Sequence, residues 1–211
     1  MSAETGPAIA VASLYQRNLV TRQTGRAVRD GIERLISDRG EAIAVVDFRD
    51  VAVIDFSCAD EVVAKLVMGP DGEEGLPGPR FVLIRGVHEH HLDPVEGALR
   101  RRGLAVSAER IGGEPVLLGE VEPEAVAAWR VLSACGRIRS EELARLMGVE
   151  PDSCDTLLCE LLRRRLVRRN GDSFESLSFS ASAARQVCAR ESRVDEAGSV
   201  SDPDRSRPPK E

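Results

Sequence analysis

Aromatic residues are nearly missing from this chain. One Trp, one Tyr and five Phe make up 3% of its 211 residues, so any core it builds must be aliphatic. No apolar run reaches the length of a membrane span and no secretory leader is recognisable, which predicts a cytoplasmic chain with no membrane partner. The five cysteines, Cys58, Cys135, Cys154, Cys159 and Cys188, are odd in number and include no C-x-x-C pair. That argues against a disulfide framework and for reduced thiols. A Gly-rich phosphate loop, G-x-S-x-G and H-E-x-x-H are all lacking, so hydrolase or transferase chemistry has no motif to stand on. The expectation is a protein that is not an enzyme and carries no cofactor or metal. A formal charge of -6 excludes global attraction to nucleic acid or an anionic membrane, and any such binding must be local.

What the chain does contain is organised around residues 42–67, AIAVVDFRDVAVIDFSCADEVVAKLV. The run from Ala42 to Val46 reads as a strand buried on both faces, and Val51 to Ile54 as a second, short one. A helix follows, with Ala59, Val62, Val63, Leu66 and Val67 on its inward side. Ser57 is the expected N-cap, its hydroxyl taking an orphan amide hydrogen while Asp60 answers in a capping box.

Upstream, Ala8 to Ser13 alternates as a strand. Thr21 to Arg39 is helical, with Val28, Ile32, Leu35 and Ile36 on one face and Gly40 as the stop. Residues 69–79, GPDGEEGLPGP, read as a mobile loop. Phe81 to Ile84 is another buried strand, Pro94 to Arg102 a short helix, and Gly112 and Gly113 the turn of a hairpin returning over Pro115 to Gly119. Strands alternating with helices predict an α/β layered domain over residues 1–120.

From Pro123 the pattern turns helical. Val126, Trp129 and Leu132 line a first helix ended by Gly136. Ser140 caps a second, whose Leu143 and Leu146 face inward, and Gly148 stops it. Pro151 opens a third that buries Leu158, Leu161 and Leu162. Leu166 to Arg169 and Ser173 to Leu177 form a hairpin about Asn170 and Gly171, expected as a type I′ turn. Three helices and a hairpin predict a small winged helix-turn-helix domain over 121–180, and the polar stretch over 190–211 a disordered tail.

Both halves resemble known families. From Asn18 to Val67 the first is similar to the STAS-like family, relatives of the anti-sigma factor antagonists, with Asp47, Asp55, Ser57, Ala59 and Asp60 carrying the likeness. Val53-Ile54-Asp55-Phe56-Ser57 resembles the strand-to-helix junction at which antagonists present a serine to a partner kinase. In those antagonists the pattern is Asp-Ser-Ser-Gly and the serine just after the aspartate is modified. Here Phe56 occupies that position, Ser57 is the remaining hydroxyl, and Cys58 replaces the glycine. The second half, GRIRSEELARLMGVEPDSCDTLLCELLRRRLVRRNGDSF, is similar to the winged-helix domains of bacterial transcription regulators.

Candidate sites follow. Ser57 is either a structural cap alone or a phosphorylation site, where a phosphate would meet free amides and the positive end of the helix dipole against the charges of Asp55 and Asp60. Asp55, Phe56, Cys58 and Asp60 are candidate partner-binding residues around it. His88, His90 and His91 sit among acidic neighbours, but residues adjacent on a short segment cannot all face one ion, so they read as solvated loop or first-turn residues. Cys154 and Cys159 read as one partly buried and one exposed thiol. Ser153 and Thr156 on the third helix are candidates for base contacts, and Arg163, Arg164, Arg168 and Arg169 for phosphate contacts to double-stranded DNA. The acidic Asp152, Asp155 and Glu160 lie among them. The expected function is a non-enzymatic bacterial regulator whose STAS-like module docks a regulatory protein, such as a serine kinase of the anti-sigma factor type, and whose winged helix acts in transcription regulation. The alternative is a partner-switching phosphoprotein whose winged helix contacts protein and not DNA.

Overall fold

The structure, a computed structural model, describes residues 7–40, 42–69 and 81–177. The loop expected over 69–79 lies outside the described residues except for Gly69, as do Cys188 and the tail over 190–211. β1 (Ile9–Ala10) runs straight into a single helical turn, α1 (Val11–Leu14), where alternation alone predicts a strand. β2 (Asn18–Leu19) leads to α2 (Arg22–Arg39), in which Thr21 accepts the amide of Thr24 at 3.1 Å and Gly40, at φ 62, closes the helix. β3 (Ile43–Asp47) is followed by β4 (Val53–Ile54), which pairs with β2 and stands apart from the main sheet.

The next helix is continuous but not uniform: α3 (Phe56–Ala59), a π-helical turn over Asp60–Ala64, then α4 (Lys65–Met68). β5 (Phe81–Val87) precedes α5 (Glu89–Arg100), which starts more than a turn before the expected Pro94. β6 (Ala105–Arg110) and β7 (Pro115–Gly119) form the expected antiparallel hairpin.

The main sheet has the order β1-β3-β5-β6-β7, parallel except for the last pair. Successive side chains alternate between its faces. Ala44, Val46, Val82, Ile84, Val106 and Ala108 pack under α2, the α3–α4 run and α5. Ile43, Val45, Phe81 and Leu83 point the other way and meet Leu177, while Ala105 and Leu117 join the core of the second half. The apolar runs of β3 and β5 thus reflect strands covered on both sides.

The second half comprises α6 (Pro123–Cys135), β8 (Arg137–Arg139), α7 (Ser140–Met147), α8 (Pro151–Arg163), β9 (Val167–Asn170) and β10 (Ser173–Ser176). Its three strands form an antiparallel sheet in the order β8-β10-β9. Trp129, Leu132, Leu143, Leu158 and Leu161 fill the space between helices and sheet. Leu146, expected inward, is half exposed. Ser140 is not the cap of α7: Arg139 holds that position and the Ser140 hydroxyl instead donates to Asp155. In the β9–β10 turn Asn170 and Ser173 pair directly, leaving Gly171 and Asp172 as the loop. Gly171 has a φ of 60 and Asp172 does not adopt a positive φ, which excludes the type I′ turn. The whole is an α/β architecture.

Candidate functional site

The site begins where β4 ends. β2 and β4 form a two-stranded parallel ribbon with Asn18 opposite Val53 and Leu19 opposite Ile54. Leu19 and Ile54 are buried, and the alternation leaves Val20 and Val53 on the outer face, 47% and 46% exposed. The backbone then turns at Asp55, whose amide donates to the Leu19 carbonyl at 2.9 Å. Asp55, not Ser57, caps the helix: its Oδ1 accepts the Cys58 amide at 2.7 Å. Aspartate is as good a cap as serine, and the strand pairing that ends at Ile54 sets the cap two residues before Ser57.

The four residues of α3 fan out. Phe56, 37% exposed, lies against α5, close to Gly97, with the Arg101 guanidinium 6.0 Å from its ring centroid. Cys58 points the opposite way into the core, and its thiol donates to the Thr21 carbonyl at 2.8 Å. Burial, followed by the charge of Asp55, pushes that thiol up to about 11, so it is a protonated packing group and not a partner-facing one. Ser57 sits between them, partly exposed, and among the described residues its hydroxyl has no hydrogen-bond partner.

One turn further, Asp60 and Glu61 open the π-helical segment and are both buried. Arg102 grips Asp60 with two bonds, Nε to Oδ1 at 2.6 Å and Nη2 to Oδ2 at 3.1 Å, and Arg22 stands 3.9 Å away. Those bonds hold the Asp60 carboxyl below its ordinary range in spite of burial. Glu61 is fully buried, yet Lys65 at 2.9 Å, Arg29 at 3.0 Å, Arg22 at 3.3 Å and Arg26 at 3.6 Å converge on it. Burial alone would raise its pKa, but the Lys65 bond and the surrounding cations more than offset this and lower it. Asp60, expected at a partner surface, is therefore an internal anchor. Arg22, Arg26 and Arg29 were not singled out from sequence, although their i, i+4, i+7 spacing on α2 marks one helix face. The helical phase places Ser57 one turn from both carboxylates, on the side where Arg22, 48% exposed, and Arg102 lie.

His90, exposed, and His91, buried, lie in the first turn of α5, and His88, part-buried, precedes it; all three rings meet backbone carbonyls. Nε2 of His88, His90 and His91 lies 2.9, 3.0 and 3.1 Å from the carbonyls of Arg49, Ala52 and Val51 respectively. His91 is fully buried and its Nδ1 accepts the His88 amide at 3.3 Å, giving α5 an imidazole cap. The trio thus ties the β3–β4 connection to α5. Among the described residues no group of three or more His, Cys, Asp or Glu side chains could hold a metal ion.

In the second half Ser153 and Thr156 are exposed on α8, and the Thr156 hydroxyl donates to the Asp152 carbonyl at 2.9 Å. The four arginines have mostly internal partners. Arg163 bonds Glu160, whose carboxyl Arg163 and Arg164 together depress to about 2, and remains largely exposed. Arg164 also donates to the carbonyls of Gly103, at 3.3 Å, and Glu120, at 2.8 Å, tying α8 to the first half. Arg168 is bound to Glu175, which also takes Asn170 at 2.8 Å and Arg137 at 3.6 Å. Arg169 donates to the Gly171 carbonyl at 3.1 Å and lies over the Phe174 ring. Cys154 is buried and Cys159 exposed. Among the described residues no helix is long and apolar enough to cross a membrane. Compared with family models and with curated proteins, the chain matches none.

Proposed function

We propose that this chain is a non-enzymatic bacterial regulatory protein in which a STAS-like module docks a regulatory protein and a winged helix-turn-helix relays the event to the transcription machinery. The observation that carries this reading is the β4–α3 junction. Val20, Val53 and Phe56 present apolar side chains to solvent, and beside them stands the unbonded Ser57 hydroxyl on a helix bordered by Arg22 and Arg102. An apolar centre with a polar rim is the composition of a protein-docking patch. Phosphate on Ser57 would lie one helical turn from Asp60 and Glu61, the carboxylates that Arg22 pairs with, and would compete with them for it. This switches the patch electrostatically rather than sterically. A serine kinase of the anti-sigma factor type is the partner class that this reading implies.

The experiment is capture of partners from the native host by the full chain, with mass spectrometry of Ser57. Phe56→Ala should abolish capture while preserving the fold, and Ser57→Glu should change it at least several-fold. Capture unaffected by either substitution sinks the reading.

For the second half, the internal pairing of Arg164 and Arg168 favours a protein-contacting winged helix. Exposed Arg163, Arg169, Arg139 and Arg145 leave a smaller basic footprint for DNA. Salt-dependent binding to promoter DNA that is lost with Arg163→Ala would establish the DNA mode, and no binding at low salt would eliminate it.

A further inference from the structure

At the carboxyl ends of β3, β5 and β6 lies a cleft of about 560 Å³, lined by Arg49, Arg85, Gly86, Glu109, Arg110 and the Gly112–Gly113 hairpin tip. Ligands of α/β sheets collect outside the carboxyl ends of parallel strands, and this volume is that of a small-molecule site. None of its lining residues belongs to the exposed face at Val20, Val53 and Phe56.

Its chemistry is uneven in an informative way. Arg49 has a rigid backbone: its amide donates to Asp47 Oδ1 at 2.8 Å, its carbonyl meets His88 Nε2, and Gly86 presses against it so closely that a Cβ there would lie 2.8 Å from the Arg49 nitrogen. Among the described residues its guanidinium has no ion-pair partner. Arg110 is paired at 3.1 Å with Glu89, whose side chain is 82% exposed, a bond that solvent weakens and a ligand can replace. Glu109 is only 5% exposed and is held by Arg85 at 3.0 Å, so it is a fixed acceptor on the cleft wall. Glycines at 86, 112 and 113 keep side chains out of the opening.

We infer that this cleft binds a small phosphomonoester, with Arg49 and Arg110 holding the phosphate and Glu109 accepting a hydrogen bond from a hydroxyl of the ligand body. Two guanidiniums supply the planar, charge-assisted donors that phosphate oxygens favour. Among the described residues the Arg49 guanidinium has no ion pair to give up.

The test is amide NMR of the full chain, titrated separately with inorganic phosphate and with glycerol 3-phosphate at constant ionic strength. Saturable shifts confined to Gly86, Gly112, Gly113 and their neighbours are expected. Glycerol 3-phosphate should bind several-fold more tightly than phosphate, and Arg49→Ala should weaken both about tenfold, the loss of one charge-assisted contact. Arg49→Lys should restore part of the affinity. The exposed guanidinium can be removed without unpairing a buried group, and an unchanged thermal midpoint confirms that the variant is folded. Shifts that do not saturate, or binding indifferent to Arg49→Ala, overturn the site. Equal affinity for the two probes overturns the role of Glu109.

Discussion

His91 shows how much one buried side chain commits a fold to a pH range. Its Nε2 faces the Val51 carbonyl and its Nδ1 accepts from the His88 amide, so only the neutral ring satisfies both bonds. Burial, then the neighbouring His90 and His88, depress it from 6.5 to about 4. Because the unfolded chain takes up that proton first, stability is intact above pH 6.5 and falls progressively as pH drops towards 4. The loss attributable to His91 at pH 5 is about 2 kcal/mol. Urea denaturation at pH 7.5 and 5 should show this loss in the native chain, and a smaller one in His91→Gln, which keeps a donor but cannot titrate. An equal loss in both would refute the assignment. Thiol chemistry gives a second test at this scale. Cys159 is exposed whereas Cys58 and Cys154 are buried with raised pKa values, so iodoacetamide should label Cys159 well before those two, as read by mass mapping. Prior labelling of Cys58 would contradict its inward placement. The contrast between Cys154 and Cys159 was legible from sequence, whereas the buried roles of His91 and Cys58 were not. The three histidines bond to carbonyls 38 to 40 residues away, and spacing along the chain carries no trace of such partners.

α2 approaches α3 and the π-helical turn closely at Gly25. A Cβ on Gly25 would lie 2.8 Å from the Glu61 Cβ and 3.2 Å from the Cys58 Cα. This close approach lets Arg22, Arg26 and Arg29 lay their side chains over Glu61. The π-helical turn opens on Asp60 and Glu61, both buried. Gly25→Ala should therefore destabilise by about 1–3 kcal/mol although alanine is the better helix former, and a lowered thermal midpoint would show it. A raised midpoint would mean that the helices separate freely. Periodicity made α2 and the second-half helices legible, and unbroken apolar runs made β3 and β5 legible. Neither signal revealed β8, whose three residues Arg-Ile-Arg hold a single buried side chain, or the π-helical turn, which leaves every residue type helix-compatible. The early start of α5 was hidden for a related reason: its cap is imidazole, and Pro94 inside the helix reads as a beginning.

For the whole molecule, the sheet needs both halves of the chain. The helices of the first half cover one face, while Ile43, Val45, Phe81 and Leu83 on the other meet Leu177, and Ala105 and Leu117 pack into the second core. Hydrogen bonds reinforce the seam, with the Ser107 hydroxyl donating to the Leu166 carbonyl at 3.2 Å and Arg164 reaching Gly103 and Glu120. Composition places a boundary near residue 120, but apolar burial crosses it. If burial governs, residues 1–120 alone expose the β3–β5 face as a contiguous apolar surface. That fragment should bind an apolar dye and associate or unfold well below the full chain, which should melt in one transition. Leu177→Ala in the full chain should cost about 2 kcal/mol, the lower end for truncating a buried leucine at an edge that can relax. A monomeric, dye-silent fragment with the full chain's melting temperature would show instead that the halves are energetically separate, and any signal docked at β4–α3 would then have to reach α8 by a route other than the shared sheet.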